Sequence, residues 1–119
     1  MNVEYLRDYC LGKPGTSEDF PFDEETLVFK VAGKMFALTR LTDDEPRVNL
    51  KCDPERAVEL RETHDEAIIP GYHMSKKHWN TVYLERGLDE RLLRELIDHS
   101  YDLVFQKLPK RTREELLDE

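Results

Sequence analysis

After Asp89 the residues Leu92, Leu93, Leu96, Ile97, Tyr101, Val104 and Leu108 fall on one stripe with the helical period. A helix apolar along so long a side must lay that side on something, and the segments before it supply the cover. Thr26 to Val31 and Met35 to Leu41 read as two β-runs around Ala32-Gly33-Lys34, a spacing that suits a tight hairpin. Asp43-Asp44-Glu45-Pro46 is the next turn, and Arg47 to Cys52 then alternates strictly. Val48, Leu50 and Cys52 take one face of that strand, while Arg47, Asn49 and Lys51 take the other, which is expected to be wet. Trp79 to Glu85 reads as a fourth main strand.

The remaining segments fit around this sheet. Asn2 caps a first helix carrying Val3, Leu6, Tyr9 and Cys10, and Lys13-Pro14-Gly15 stops it. Thr16 to Glu25 is an acidic connection in which Phe20, Pro21 and Phe22 are expected to tuck onto the core. Asp53-Pro54-Glu55 is a strong helix start, because the aspartate accepts from orphan backbone N–H groups and proline at the first helical position loses no needed donor. That helix runs to about Thr63, and Ala67 to Met74 continues irregularly through Ile68-Ile69-Pro70-Gly71. Pro109 interrupts the last long helix, and Lys110 to Glu119 is a charged tail with room for a further helical turn. The order predicts an α+β fold: an antiparallel sheet covered on one face by the N- and C-terminal helices and left partly open on the other.

At 119 residues the chain has the size of one domain spanning 1–119. No run reaches the roughly 18 apolar residues of a membrane span, and the N-terminal residues lack the basic start and apolar stretch of a signal peptide, so the expected compartment is the cytoplasm. In that reducing setting Cys10 and Cys52, both among apolar neighbours, read as small buried hydrophobes. No glycine-rich phosphate loop, activated nucleophile or spaced carboxylate pair is present, so the chain reads as a non-enzyme without a cofactor.

The formal charge of −8 is unevenly spread. Residues 1–25 carry net −5, residues 26–84 net 0 and residues 85–119 net −3. Within the neutral middle, residues 70–84 hold the only tryptophan, His73, His78, Lys76 and Lys77 and no acidic residue at all. Such an island builds either a special corner or a contact surface.

The set Lys13-Pro14-Gly15, Val31-Ala32-Gly33-Lys34-Met35-Phe36-Ala37, Asn49-Leu50-Lys51-Cys52-Asp53-Pro54, His73-Met74-Ser75-Lys76-Lys77-His78-Trp79-Asn80-Thr81-Val82-Tyr83-Leu84 and Asp98-His99-Ser100-Tyr101 resembles the MmcQ/YjbR family of small bacterial proteins. The resemblance spans nearly the whole chain, and the block around His73, Lys76, His78 and Trp79 is its specific part. It implies a fold of the frataxin or CyaY type and a DNA-binding role through a double-wing arrangement. It carries over no catalytic residues.

The residues themselves allow such a role. Arg47 and Lys51, with Asn49, can meet phosphates from one strand face, and Lys30 and Lys34 on the hairpin with Lys76 and Lys77 before the fourth strand would supply two basic projections. Trp79 and Tyr83, an even number of steps apart on one strand, are expected to stack on bases if they are exposed. A continuous basic face would favour DNA as the partner. Lysines interrupted by carboxylates beside an exposed aromatic patch would favour a protein partner on the open sheet face. Two further readings are a metal site using His73 and His78, with His64-Asp65 nearby in sequence, and loose iron binding by Glu4, Asp8, Glu18, Asp19, Asp23, Glu24 and Glu25 on an acidic surface.

Overall fold

The computed structural model describes residues 1–71 and 74–118. Within these described residues six strands form one antiparallel sheet, β1 (Thr16–Asp19), β2 (Thr26–Val31), β3 (Lys34–Arg40), β4 (Arg47–Lys51), β5 (Ile68–Pro70) and β6 (Trp79–Tyr83), in the order β1-β2-β3-β4-β6-β5. Among the described residues four helices accompany it: α1 (Val3–Leu11), α2 (Pro54–Thr63), α3 (Glu90–Phe105) and α4 (Lys110–Leu117). The α+β class, the antiparallel sheet and the helices on it are as the apolar periodicity predicts. Among the described residues no helix is long and apolar enough to cross a membrane.

The stripe on α3 explains the core. Leu93, Leu96, Ile97, Tyr101 and Val104 are buried against Phe29, Val31, Phe36, Val48, Leu50 and Val82 from the sheet, with Leu6 and Cys10 of α1 joining them. Burial pushes the Cys10 thiol up to about 12 and raises Cys52 as well, so both behave as inert hydrophobes at neutral pH.

Helix starts and turns follow local chemistry. Asn2 accepts from the Tyr5 backbone N–H at 2.7 Å, Asp53 from Arg56 at 3.3 Å and Asp89 from Arg91 at 2.7 Å. Between β2 and β3, Ala32 and Gly33 both take positive φ, 47° and 80°, the pairing that a two-residue hairpin needs to match strand twist.

Three sequence expectations are corrected here. The acidic connection contains β1, which pairs with β2 from Thr16↔Val31 to Asp19↔Val28. Its residues, Thr-Ser-Glu-Asp, hold the edge through backbone pairing rather than through an apolar face. The irregular segment after α2 contains β5, three residues ending at Pro70, which a sheet edge tolerates because one side needs no donor. Phe20 and Phe22 do not reach the core; they are 45% and 64% exposed.

Candidate nucleic-acid interface

Strand register sorts the candidate residues by position before any side chain is considered. In the β4–β6 pair, Lys51 stands opposite Trp79 and Arg47 opposite Tyr83. Because β3 runs antiparallel to β4 and starts at Lys34, the hairpin tip, the end of β4 and the turn leading into β6 all lie at one end of the sheet. Lys34, Lys51, Lys76 and Lys77 therefore gather there, with Lys30 one step inside; Arg47 and Tyr83 lie at the opposite end.

Several bonds hold the lysine end in place. Ser100, fully buried on α3, donates to the Phe36 carbonyl at 2.5 Å and accepts from the Lys51 N–H at 2.9 Å, so one hydroxyl bridges β3 and β4. His99 Nε2 accepts from the Asp53 N–H at 3.1 Å, fixing the exit from β4. Arg61 of α2 donates to Asn80 Oδ1 at 2.6 Å, to the Trp79 carbonyl at 3.3 Å and to the Lys76 carbonyl, clamping the turn that carries Lys76 and Lys77. Gly71 adds a backbone constraint. Its N–H donates to the Trp79 carbonyl at 2.9 Å, and a Cβ there would lie 2.8 Å from Trp79 Cβ.

The amines at this end are mostly exposed and unpaired among the described residues. Lys34, Lys76, Lys77 and Lys107 are exposed, Lys51 is half-buried, and none of the five forms an ion pair among the described residues. Burial, with help from the charge of Lys107, holds Lys51 below its ordinary pKa. That influence also places Lys107, which follows α3, within electrostatic reach of the strand end. The nearest carboxylate in sequence, Asp53, already caps α2.

The rest of the proposed site is arranged differently. Lys30 is paired with Asp19 at 3.2 Å. Arg47, half-buried, donates to Asp43 Oδ2 at 2.8 Å and to the Tyr83 hydroxyl at 3.2 Å, so it anchors a turn rather than facing outward. Its pKa is raised first by the hydrogen bond to Asp43. The expected stacking pair is also corrected. Trp79 is only 7% exposed and packs with Val28, Leu38, Met35 and Met74 on the non-helical face, while Tyr83 has Arg86 lying 3.6 Å from its ring centroid. Neither ring is open for a base. The face expected to be wet is thus partly dry, and the half-buried Asn49 beneath it accepts from the Thr81 hydroxyl at 2.5 Å.

On that same face, toward the Arg47 end, a cleft of about 350 Å³ opens between Phe22, Leu38 and Met74, with Arg40, Arg47 and Asp43 among its polar walls. Arg40 is bound to Glu25 at 2.7 Å.

The acidic stretch proposed for iron is broken up by local bonds. Glu18 pairs with Arg7 at 2.8 Å, Asp19 with Lys30 and Glu25 with Arg40, while Asp23 accepts from the Glu25 and Thr26 N–H groups, which holds its carboxyl below the usual range. Among the described residues no group of three or more histidine, cysteine, aspartate or glutamate side chains is placed to hold a metal ion. His73 of the proposed histidine pair lies outside the described residues.

Sequence reasoning passed over Ser100, His99, Arg61 and Lys107. The first two sit in the Asp98-His99-Ser100-Tyr101 block, whose polar residues interrupt an otherwise apolar stripe. That interruption was the available signal.

The fold has close counterparts. A crystal structure of Deinococcus radiodurans protein DR2400, described by the family-model domain DUF419, superposes with a TM-score of 0.90 at 49% identity, covering 97% of this chain and 87% of that one. A Pseudomonas syringae protein superposes with a TM-score of 0.75 at 30% identity, over 87% of this chain and 99% of its own. In sequence, the chain is 34% identical over 117 residues to the uncharacterised YjbR of Escherichia coli K12, covering 98% of each, and 42% identical over 108 residues to the uncharacterised YbdF of Escherichia coli O157:H7, covering 91% of this chain and 88% of the relative. The family model described as YjbR matches residues 11–103, and the chain belongs to the YjbR family.

Proposed function

We propose that the chain is a non-enzymatic, cytoplasmic binding module that takes DNA at the lysine end of its sheet. One observation supports the reading above others: Lys34, Lys51, Lys76, Lys77 and Lys107 gather at one end without carboxylate partners among the described residues, whereas Lys30, Arg40, Arg47 and Arg86 are each held by an acid. A net charge of −8 opposes long-range attraction of a polyanion, so binding depends on this local field. The hairpin tip and the 75–78 turn then act as the two projections, about two strand spacings, or roughly 10 Å, apart across the sheet. Phosphate contact is the whole interaction on this reading, since Trp79 and Tyr83 offer no free ring face. It predicts weak sequence preference and strong salt dependence.

Fluorescence anisotropy of labelled duplex and single-stranded DNA across a salt series tests it. With three to four lysines on phosphates, the slope of log affinity against log salt for duplex is expected at about −3. Replacing Lys76 and Lys77 together by alanine flattens that slope by about 2. No binding at low salt to either form, or a slope unchanged in the variant, rejects the reading.

A further inference from the structure

The cleft at the opposite half of the open face belongs to a different chemistry, and we infer that it docks a basic peptide segment through a single apolar anchor. Its floor is Leu38, which packs with Trp79, and Met74 and the exposed Phe22 form walls. About 350 Å³ is at the small end of ligand pockets and accommodates one or two apolar side chains. Phe20 and Leu41, close in sequence to the lining residues Phe22 and Arg40, are also exposed, at 45% and 47%.

The rim decides the sign of the occupant. Arg40 and Arg47 line the cleft, but their guanidinium groups already face Glu25 at 2.7 Å and Asp43 at 2.8 Å. An anionic ligand would have to displace those carboxylates. Around them the two turns contribute Asp23-Glu24-Glu25 and Asp43-Asp44-Glu45 against Arg40, Arg47 and Arg86, an acidic excess. Glu24 and Asp44 are exposed and form no ion pair among the described residues. An apolar hole inside a net-negative rim suits a large apolar side chain flanked by lysine or arginine, the charge steering approach and the anchor supplying the buried contact. This site stands whether or not the lysine end binds DNA.

Three capped pentapeptides serve as probes: phenylalanine flanked by two lysines on each side, the same with glutamates in place of the lysines, and the lysine peptide with glycine at its centre. Chemical-shift mapping on the isotopically labelled chain is read together with emission of Trp79, the single tryptophan, which packs on the cleft floor. The lysine–phenylalanine peptide is expected to shift residues 22–26 and 38–43 and to change Trp79 emission, with the other two markedly weaker. Phe22→Ala weakens it by removing a wall, and the exposed pair Glu24→Lys and Asp44→Lys weakens it by reversing the rim while leaving the fold intact. Equal binding of the acidic peptide, equal binding of the glycine-centred peptide, or shifts confined to other residues each overturn the inference. So does concentration-dependent self-association that Phe22→Ala abolishes, because the occupant would then be a second copy of this chain.

Discussion

The two ends of the sheet each carry a group of cations and behave as opposites. At the Arg47 end, each arginine projecting from a strand or turn meets an acid from a neighbouring turn: Arg40 with Glu25, Arg47 with Asp43 and Arg86 with Glu45 at 2.5 Å. At the other end the hairpin tip, the close of β4 and the 75–78 turn bring lysines together with no partner among the described residues. Arginine's planar fork favours bidentate pairing with carboxylates, and lysine's flexible point charge does not need it. The choice of cation thus separates a cross-linked end from an available one. Net charge alone hides this, because most of these cations, Lys34, Arg40, Arg47, Lys51, Lys76 and Lys77, lie within a middle segment that sums to zero.

The largest expected effect concerns the indole packed on the open face. Trp79→Ala should cost about 3–5 kcal/mol in chemical denaturation, because the indole fills the cluster on the open face. If Trp79 instead stacked on DNA, the variant would stay near wild-type stability and lose affinity, which would merge the two ends into one site. Next in size, Arg47→Ala should cost about 1–2 kcal/mol, since it leaves the half-buried Asp43 carboxylate without its partner. The same variant should leave the DNA salt slope unchanged. A change in that slope would mean that the cross-linked end also meets phosphate.

Lys34→Ala, at the exposed hairpin tip, should change stability by no more than about 0.5 kcal/mol while flattening the salt slope by about 1. A loss of stability without a change of slope would turn this lysine into a structural residue. The smallest expected effect is a titration. Burial, reinforced by the charge of Arg56, holds the His99 imidazole below its ordinary value, and its Nε2 accepts a hydrogen bond that protonation would remove. The unfolded chain then binds the proton first. The contribution of His99 is complete above the unfolded value near 6.5 and is lost as pH falls from there through the folded one. Denaturation midpoints between about pH 7.5 and 5.5 should fall further for the wild type than for His99→Gln. Equal falls would remove His99 from the account of the lysine end.

How much of this was readable beforehand varies with the kind of information each element carries. The α3 stripe, the alternation of Val48, Leu50 and Cys52, the Asp53-Pro54 start and the Ala32-Gly33 turn are local patterns with local causes, and all four appear where expected. β1 escaped because an edge strand of Thr-Ser-Glu-Asp has no apolar alternation; what makes it a strand is β2 alongside. The candidate site was legible as composition and not as geometry. Lysines and aromatics stand together in residues 70–84, but only the register sets Lys51 beside Trp79 and Arg47 beside Tyr83. Trp79 was misplaced because strand alternation gives a face without saying what covers it. A signal existed nonetheless: Leu27-Val28-Phe29 and Phe36-Ala37-Leu38 are unbroken apolar runs, the mark of strands buried on both sides.

Amide chemical-shift mapping of the labelled protein with a short DNA duplex at low salt tests the division between the ends most directly. The account predicts that shifts concentrate at residues 32–35, 51, 75–78 and 107 and disappear as salt is raised. Shifts centred on residues 40–47 and 83–86, or none anywhere, would contradict it.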